Sequence, residues 1–298
     1  MRPQRLNANL FFLHEIKNSL CKESPFNRIR RNPGRSIGLA IIVVMVMIAS
    51  LAPYLAPYDP DERGWTPFLS PNSENKLGTD DMGKDIFSQL IFASRISLAV
   101  GFAAATVAIT IGVAVGLVAG YFRGWVEDLL LGITDLFLLI PGLPLMIILS
   151  SYMGPSVMNV IVIISLLWWC STARVVHSRV LQVREMSYIE SAKAMGFSGW
   201  YIMFRHILRN TKDVIVAKWS LAIASAMITE AGLAFLGLGD PYQVSWGGMI
   251  SNAFNRGGYA LDLWWWYAVP GAMICLTASA FFMITMRGRK IAYQLEMI

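Results

Sequence analysis

Six apolar runs recur along this 298-residue chain, each near the roughly 20 residues that a helix needs to cross a bilayer. They fall at about 37–57, 97–121, 129–151, 156–173, 214–237 and 264–286. A backbone in hydrocarbon must satisfy its own hydrogen bonds, so each run reads as a helix. The ten-residue alternation that would mark a membrane barrel does not occur in the sequence. Charged residues make up 15% of the chain, well under the roughly 25% of a soluble domain. The expected fold is an all-α integral membrane protein with six transmembrane helices.

Basic residues set the expected orientation. Eight Lys and Arg precede residue 37, seven lie between Arg174 and Lys212, and three follow residue 286. The stretch from residue 58 to 94 carries seven acids instead. The positive-inside rule then places both termini and the 174–212 loop in the cytoplasm. This gives a cytoplasmic tail at 1–36, a first transmembrane helix at 37–57 and an extracytoplasmic loop at 58–96. A five-helix core at 97–286 contains the 174–212 loop, and 287–298 form a cytoplasmic tail. Thirty-six residues ahead of the first run are too many for a secretory leader, so that run is expected to be a retained helix. The net charge of +6 follows from this topology and from contact with anionic lipid. Nucleic-acid binding is not expected, because basic residues do not interleave with aromatics on a soluble face.

The soluble stretches reach only about 40 residues, below the size at which a domain holds its own core, which excludes a built-in ATPase. Cys21, Cys170 and Cys275 are too scattered for a disulfide framework or a metal cluster. His14, His177 and His206 likewise lack metal-ligand spacing, which argues against a membrane-embedded enzyme. Gly78-Thr79-Asp80-Asp81-Met82-Gly83-Lys84-Asp85 imitates a phosphate loop, yet it ends in Asp where magnesium needs Ser or Thr, and three carboxylates would repel phosphate. Trp168, Trp169 and Trp264 to Tyr267 read as an interfacial aromatic belt.

Between the fourth and fifth runs lies a charged, amphipathic segment, Glu190 to Asn210. Gln182 to Met195 reads as one helix, Gly196 as its left-handed stop and Ser198 as the cap of the next. In that next helix Trp200, Met203, Phe204, Ile207 and Leu208 form one apolar stripe. The pattern alone suits either docking on another protein or lying flat on lipid.

Glu190-Ser191-Ala192, Gly196 and Ile207-Leu208 resemble the EAA signature of ATP-binding-cassette importer permeases. Thr229 to Gly239, TEAGLAFLGLG, is similar to that group's TEASLSFLGLG. Leu77-Gly78-Thr79-Asp80, with Gly83, Asp85, Ser88, Arg95 and Ser97, resembles LGTDxxGRDxxSRLxxGARxS. Together, from about residue 28 to 286, these resemble the C-type subunit of dipeptide/oligopeptide/nickel permeases. The signature expects Ala at 191 and Pro at 209, where Ser and Arg stand. Lys84 and Gln89 replace arginines, and the usual GDxLRDxLDP ending is missing after the sixth run.

The resemblance implies a type I ABC importer permease architecture and a non-enzymatic role. It implies a heterodimer with a second permease subunit, cytoplasmic ABC ATPase subunits that alone use ATP, and an extracytoplasmic solute-binding protein. No cofactor is implied for the chain itself. Glu190, Ser191, Ala192, Gly196, Phe197, Ile207 and Leu208 would form the loop that couples to the ATPase. The cargo would be a peptide, although the family also moves nickel and, in some members, sugars.

Three ionisable residues fall inside apolar runs: Asp135, Lys218 and Glu230. A charge at mid-bilayer costs about 2.5–3.5 kcal/mol on insertion scales, so each is expected to face protein or water. The Lys218 stem can snorkel to the cytoplasmic surface. Two readings stand open for Glu230: lining the pathway, or fixing the turn that follows its helix. Asp135 is expected either to serve the pathway or to bind backbone groups freed by Pro141.

Overall fold

The computed structural model describes residues 33–285; the expected tails, apart from 33–36, lie outside the described residues, as do His14 and Cys21. Eleven α-helices and one π-helical turn account for most of it. They are α1 (Pro33–Ser50), α2 (Ala52–Leu55), α3 (Ile86–Tyr121), α4 (Trp125–Leu139), α5 (Gly142–Met153) and α6 (Val157–Arg184). Then follow α7 (Ser187–Ala194), α8 (Gly199–Tyr201), the π turn (Ile202–Ile207), α9 (Leu208–Phe235), α10 (Trp246–Asn255) and α11 (Trp264–Thr285). Five stretches are long and apolar enough to span a membrane, and α4 with α5 makes a sixth if the bent pair counts as one span.

The bundle is built around α3, which packs along α6 on one side and α9 on another, while α1 lies against α11. Three glycines one turn apart on α3 make the α6 contact possible. A Cβ on Gly112 would stand 2.6 Å from the Trp169 carbonyl oxygen, and one on Gly116 would stand 2.6 Å from that of Ala173. A Cβ on Gly120 would stand 2.7 Å from Cγ1 of Val180. This small-residue seam lets two backbones approach where neither gains from excluding water, so dispersion carries the contact. Several hydroxyls inside the bundle are satisfied by nearby carbonyls. Thr134, Thr211 and Thr277 donate to carbonyls four residues back, and Ser165 donates both to Ile161 and across to Ala104 on α3.

Several boundaries differ from the sequence reading. α3 starts at Ile86, not near 97, because the Asp85 carboxylate caps it by accepting from the Ser88 amide at 2.7 Å. Its first turns bury Ser88, Gln89, Ser94 and Ser97, polar residues that lowered the local hydropathy and hid the helix. α6 runs to Arg184, well past 173, with Val176, Val180 and Val183 buried at helical spacing. The expected helix at 182–195 is therefore cut: Gln182 to Arg184 belong to α6, and α7 covers only Ser187–Ala194.

The third run is not one helix. α4 and α5 meet at 85°, with Ile140 extended because the following Pro141 bars it from the helical region. The aromatic belt is only partly a belt: Trp169 and Trp266 are buried in the core, whereas Trp264 is exposed. Cys170 is buried and Cys275 exposed.

Residues 56–85 pack over the α3 start as a compact cap rather than an open loop. Gly78 and Gly83 have φ of 69° and 72°, and a Cβ on either would lie 2.1 Å from a carbonyl oxygen, of Leu69 and Trp65 respectively. The phosphate-loop look-alike turns its carboxylates inward. Asp80 accepts from the amides of Met82 and Lys84 and from the Gln89 side chain, all within 2.9 Å. Burial pushes the Asp81 carboxyl above its usual range, opposed by the Arg256 guanidinium at 3.4 Å.

Gly116→Ala is expected to destabilise the detergent-solubilised protein by roughly 1–3 kcal/mol, because the Ala173 carbonyl cannot yield. Gly132→Ala, with no atom within 4 Å of the new Cβ, should leave the thermal midpoint unchanged or slightly raised. Equal melting temperatures for parent and Gly116→Ala would contradict the seam.

Candidate functional site

At the end of the bundle opposite the 56–85 cap, α6, α7, α8 and the π turn form an elbow. α7 ends in a Schellman closure: the Gly196 amide donates to the Lys193 carbonyl and the Phe197 amide to that of Ala192. Gly196 takes φ of 80° in open space, so the position requires glycine for its backbone and not for room. Ser198 caps the next helix by accepting from the Tyr201 amide at 3.3 Å. The chain then passes through the π turn into α9 without interruption, and Arg209 sits in the first turn of that helix where the EAA signature expects Pro.

The elbow has an inner and an outer face. Inward, Ile189, Ala192, Ile202, Met203 and Ile207 join Leu117, Val176, Val180 and Val183 in one buried cluster, with Leu208 packed against it. The Asn210 amide donates to the Tyr188 hydroxyl at 2.8 Å, tying α7 to α9. Outward, Met195, Phe197, Trp200, Tyr201 and Phe204 are all exposed. Phe197 stacks on Tyr201 and Trp200 on Phe204, with ring centroids 5.1 and 6.0 Å apart. Glu190 and Ser191 are also exposed. Lys193 joins them, its amine held below the usual value by desolvation and by the nearby Arg184 charge.

The single apolar stripe expected over 200–208 is therefore split. Trp200 and Phe204 face out, while Met203 and Ile207 face in. The π turn widens the helical period, so residues that share a face at 3.6 residues per turn separate. Ala192, Ile207 and Leu208 support the elbow from within, and Glu190, Ser191, Gly196 and Phe197 form its exposed edge. Met195 and Tyr201 escaped the sequence reading, although both are large apolar or aromatic side chains flanking the Gly196 turn.

The remaining candidates lie elsewhere. Glu230 is buried on α9 and takes hydrogen bonds from Ser97 and Ser245, with Oε2 left without a partner. It does not fix the following turn, which closes itself: the Leu238 amide donates to Leu233 and the Gly237 amide to Ala234. The two serines instead anchor α10. Ser97 Oγ accepts from the Trp246 amide, Ser245 Oγ from that of Gly248, and the Trp246 indole donates to the Leu90 carbonyl. Asp135 does not serve the Pro141 backbone; it pairs with Arg174 on α6.

A helical bundle with five or six spans and a rigidly supported elbow at one end is the architecture of a type I ABC importer permease, a class that moves solutes and is not itself enzymatic. The chain belongs to the family described as binding-protein-dependent transport system inner membrane component, whose model matches residues 112–292. Residues 24–78 match the N-terminal TM domain of oligopeptide transport permease C. The probable D,D-dipeptide transport system permease protein of Escherichia coli (strain K12) is 34% identical over 85% of each chain. The glutathione transport system permease protein GsiD of Pectobacterium atrosepticum is 37% identical over 76% of this chain and 75% of its own. The oligopeptide transport system permease protein OppC of Bacillus subtilis is 32% identical over 85% of this chain and 83% of its own.

Glu230→Ala is expected to loosen α10 locally. Hydrogen exchange should accelerate over 246–255 and stay unchanged over 187–207; uniform protection in both segments would show that the carboxylate anchors nothing.

Proposed function

We propose that this chain is one permease half of an ATP-driven importer for short peptides in the inner membrane. The elbow carries the reading. Five exposed apolar and aromatic side chains sit on a turn that is locked from beneath by a buried cluster, a Schellman closure and a side-chain cap. An exposed apolar edge on so rigid a support suits transmission of displacement from a partner. The basic residues from Arg179 to Lys212, with those of the 1–36 tail, favour a cytoplasmic position for the elbow and both termini. There it meets an ABC ATPase subunit, with Phe197, Trp200 and Phe204 entering a groove and Glu190 at the rim. A second permease subunit completes the pathway, and an extracytoplasmic binding protein delivers the cargo. Lipid covers the exposed apolar face of α1, including Val43, Val44 and Met47. The relatives named for D,D-dipeptide, glutathione and oligopeptide transport favour a peptide backbone as the common feature of the cargo.

Gly196→Asp should abolish ATP-driven uptake while the protein inserts at parental levels, since a charged Cβ branch at φ of 80° disrupts both turn and contact. Phe197→Cys should crosslink to an ATPase subunit in native membranes. Parental uptake by well-inserted Gly196→Asp, together with no ATPase capture at Phe197→Cys, would defeat the proposal.

A further inference from the structure

Ionisable side chains form a ladder between α4 and α6. Arg123, just ahead of α4, pairs with Glu185 at 2.9 Å; Glu127 pairs with His177 at 2.7 Å; Asp135 pairs with Arg174. The two strands of the ladder run antiparallel. Glu127 and Asp135 are eight residues apart on one face of α4, about 12 Å along its axis. Glu185, just past the end of α6, and His177 and Arg174 on it descend the facing side over about 16 Å. The ladder thus leads from the elbow end of the bundle into its membrane-spanning part.

The innermost rung is unusual in its exposure. The Asp135 and Arg174 side chains are 50% and 52% exposed, although both belong to apolar helices. The Glu127–His177 rung is much less exposed. Around the inner rung α4 and α5 bury little: among their residues only Thr134, Met146 and Ser150 are buried. Asp135 lies within an apolar run, where a half-exposed carboxylate is costly against lipid even when paired. It requires water or protein on its open side. The helix break at Pro141, two turns beyond Asp135, leaves irregular backbone of the kind tolerated where it lines a cavity.

We propose that the α4–α6 seam is the cytoplasmic arm of the translocation pathway, and that the Asp135–Arg174 pair is a charged step on which the solute's own charges are handed on. Water reaches the pair when the pathway opens inward. A peptide is a zwitterion: its ammonium group exchanges with Arg174 for Asp135, and its carboxylate exchanges with Asp135 for Arg174. The mutual pairing of the two residues caps both charges between cargoes, so neither stands alone in the membrane. This part rests on the peptide reading above; the position of the pair in a water-filled pathway does not.

Ser171, one turn deeper than Arg174 and half-buried, offers a conservative probe. In the assembled transporter, with Cys21, Cys170 and Cys275 replaced by Ser, Ser171→Cys should react with a membrane-impermeant methanethiosulfonate reagent added from the cytoplasmic side. Trapping with ATP and vanadate should slow that reaction at least tenfold. Val44→Cys on α1 should stay unreactive. No reaction at Ser171→Cys in either state would mean that the partner permease or lipid covers the pair, and would overturn the pathway assignment. In a second arm, the uncharged pair D135N/R174Q should lower the maximal rate of free-dipeptide uptake at least tenfold, with ATP hydrolysis still stimulated by the loaded binding protein. Unchanged uptake, or loss of that stimulation as well, would overturn the charged-step role. If the parent hydrolyses ATP on engaging its binding protein yet imports no dipeptide, the peptide reading fails, whereas the Ser171→Cys labelling still reports on the pathway. Should D135N/R174Q not insert, the labelling still decides the pathway assignment, and the single variants D135N and R174Q test the charged step in the same uptake assay.

Discussion

The close approach of α3 and α6 is the contact on which the rest of the bundle depends. In lipid, burying apolar side chains gains little over leaving them in acyl chains, so helices associate through dispersion and shape. Gly112, Gly116 and Gly120 remove the side chains that would hold the two backbones apart, and the Trp169 and Ala173 carbonyls fill the space. This seam fixes where Val176, Val180 and Val183 lie. Those valines are the floor of the elbow, together with Leu117 from α3. A spacing set inside the bundle therefore determines how firmly its exposed end is supported.

Much of this was legible in the sequence because hydropathy reports membrane spans directly. Five of the six apolar runs, the Gly196 stop and the Ser198 cap follow from local rules that tertiary context did not override. What escaped were features in which one helix answers another. The glycines of α3 looked like unremarkable members of an apolar run until α6 was placed beside them. The first turns of α3 looked like loop because Ser88, Gln89 and Ser97 are polar, yet each is buried and hydrogen-bonded within the fold. The break at Pro141 carried its own signal, and the expected span at 129–151 simply ran through it.

The elbow and the polar residues show the same division. A 3.6-residue period put Trp200, Met203, Phe204 and Ile207 on one face; the π turn, invisible to periodicity, sends two of them outward and two inward. For Glu230 and Asp135 the sequence established that partners were needed, and the fold supplied them. Ser97 and Ser245 meet Glu230, while Arg174, assigned to a cytoplasmic loop, meets Asp135 from within α6. Charge in a membrane helix announces an obligation; only the packing reveals who discharges it.

The continuity of α8, the π turn and α9 has a mechanical consequence. From Gly199 to Phe235 the chain forms one helical rod of 37 residues, about 55 Å long, with the elbow at one end and the α10 anchorage near the other. A stiff rod held about two thirds of the way along, here by Ala222, Ile223 and Met227 in the core, pivots as an unequal lever. A tilt of about ten degrees about Ile223 displaces the Gly199 tip by about 6 Å and the Phe235 tip by about 3 Å, in opposite senses. A displacement of the elbow is thereby tied to a smaller, opposite displacement at the α10 end of the same helix.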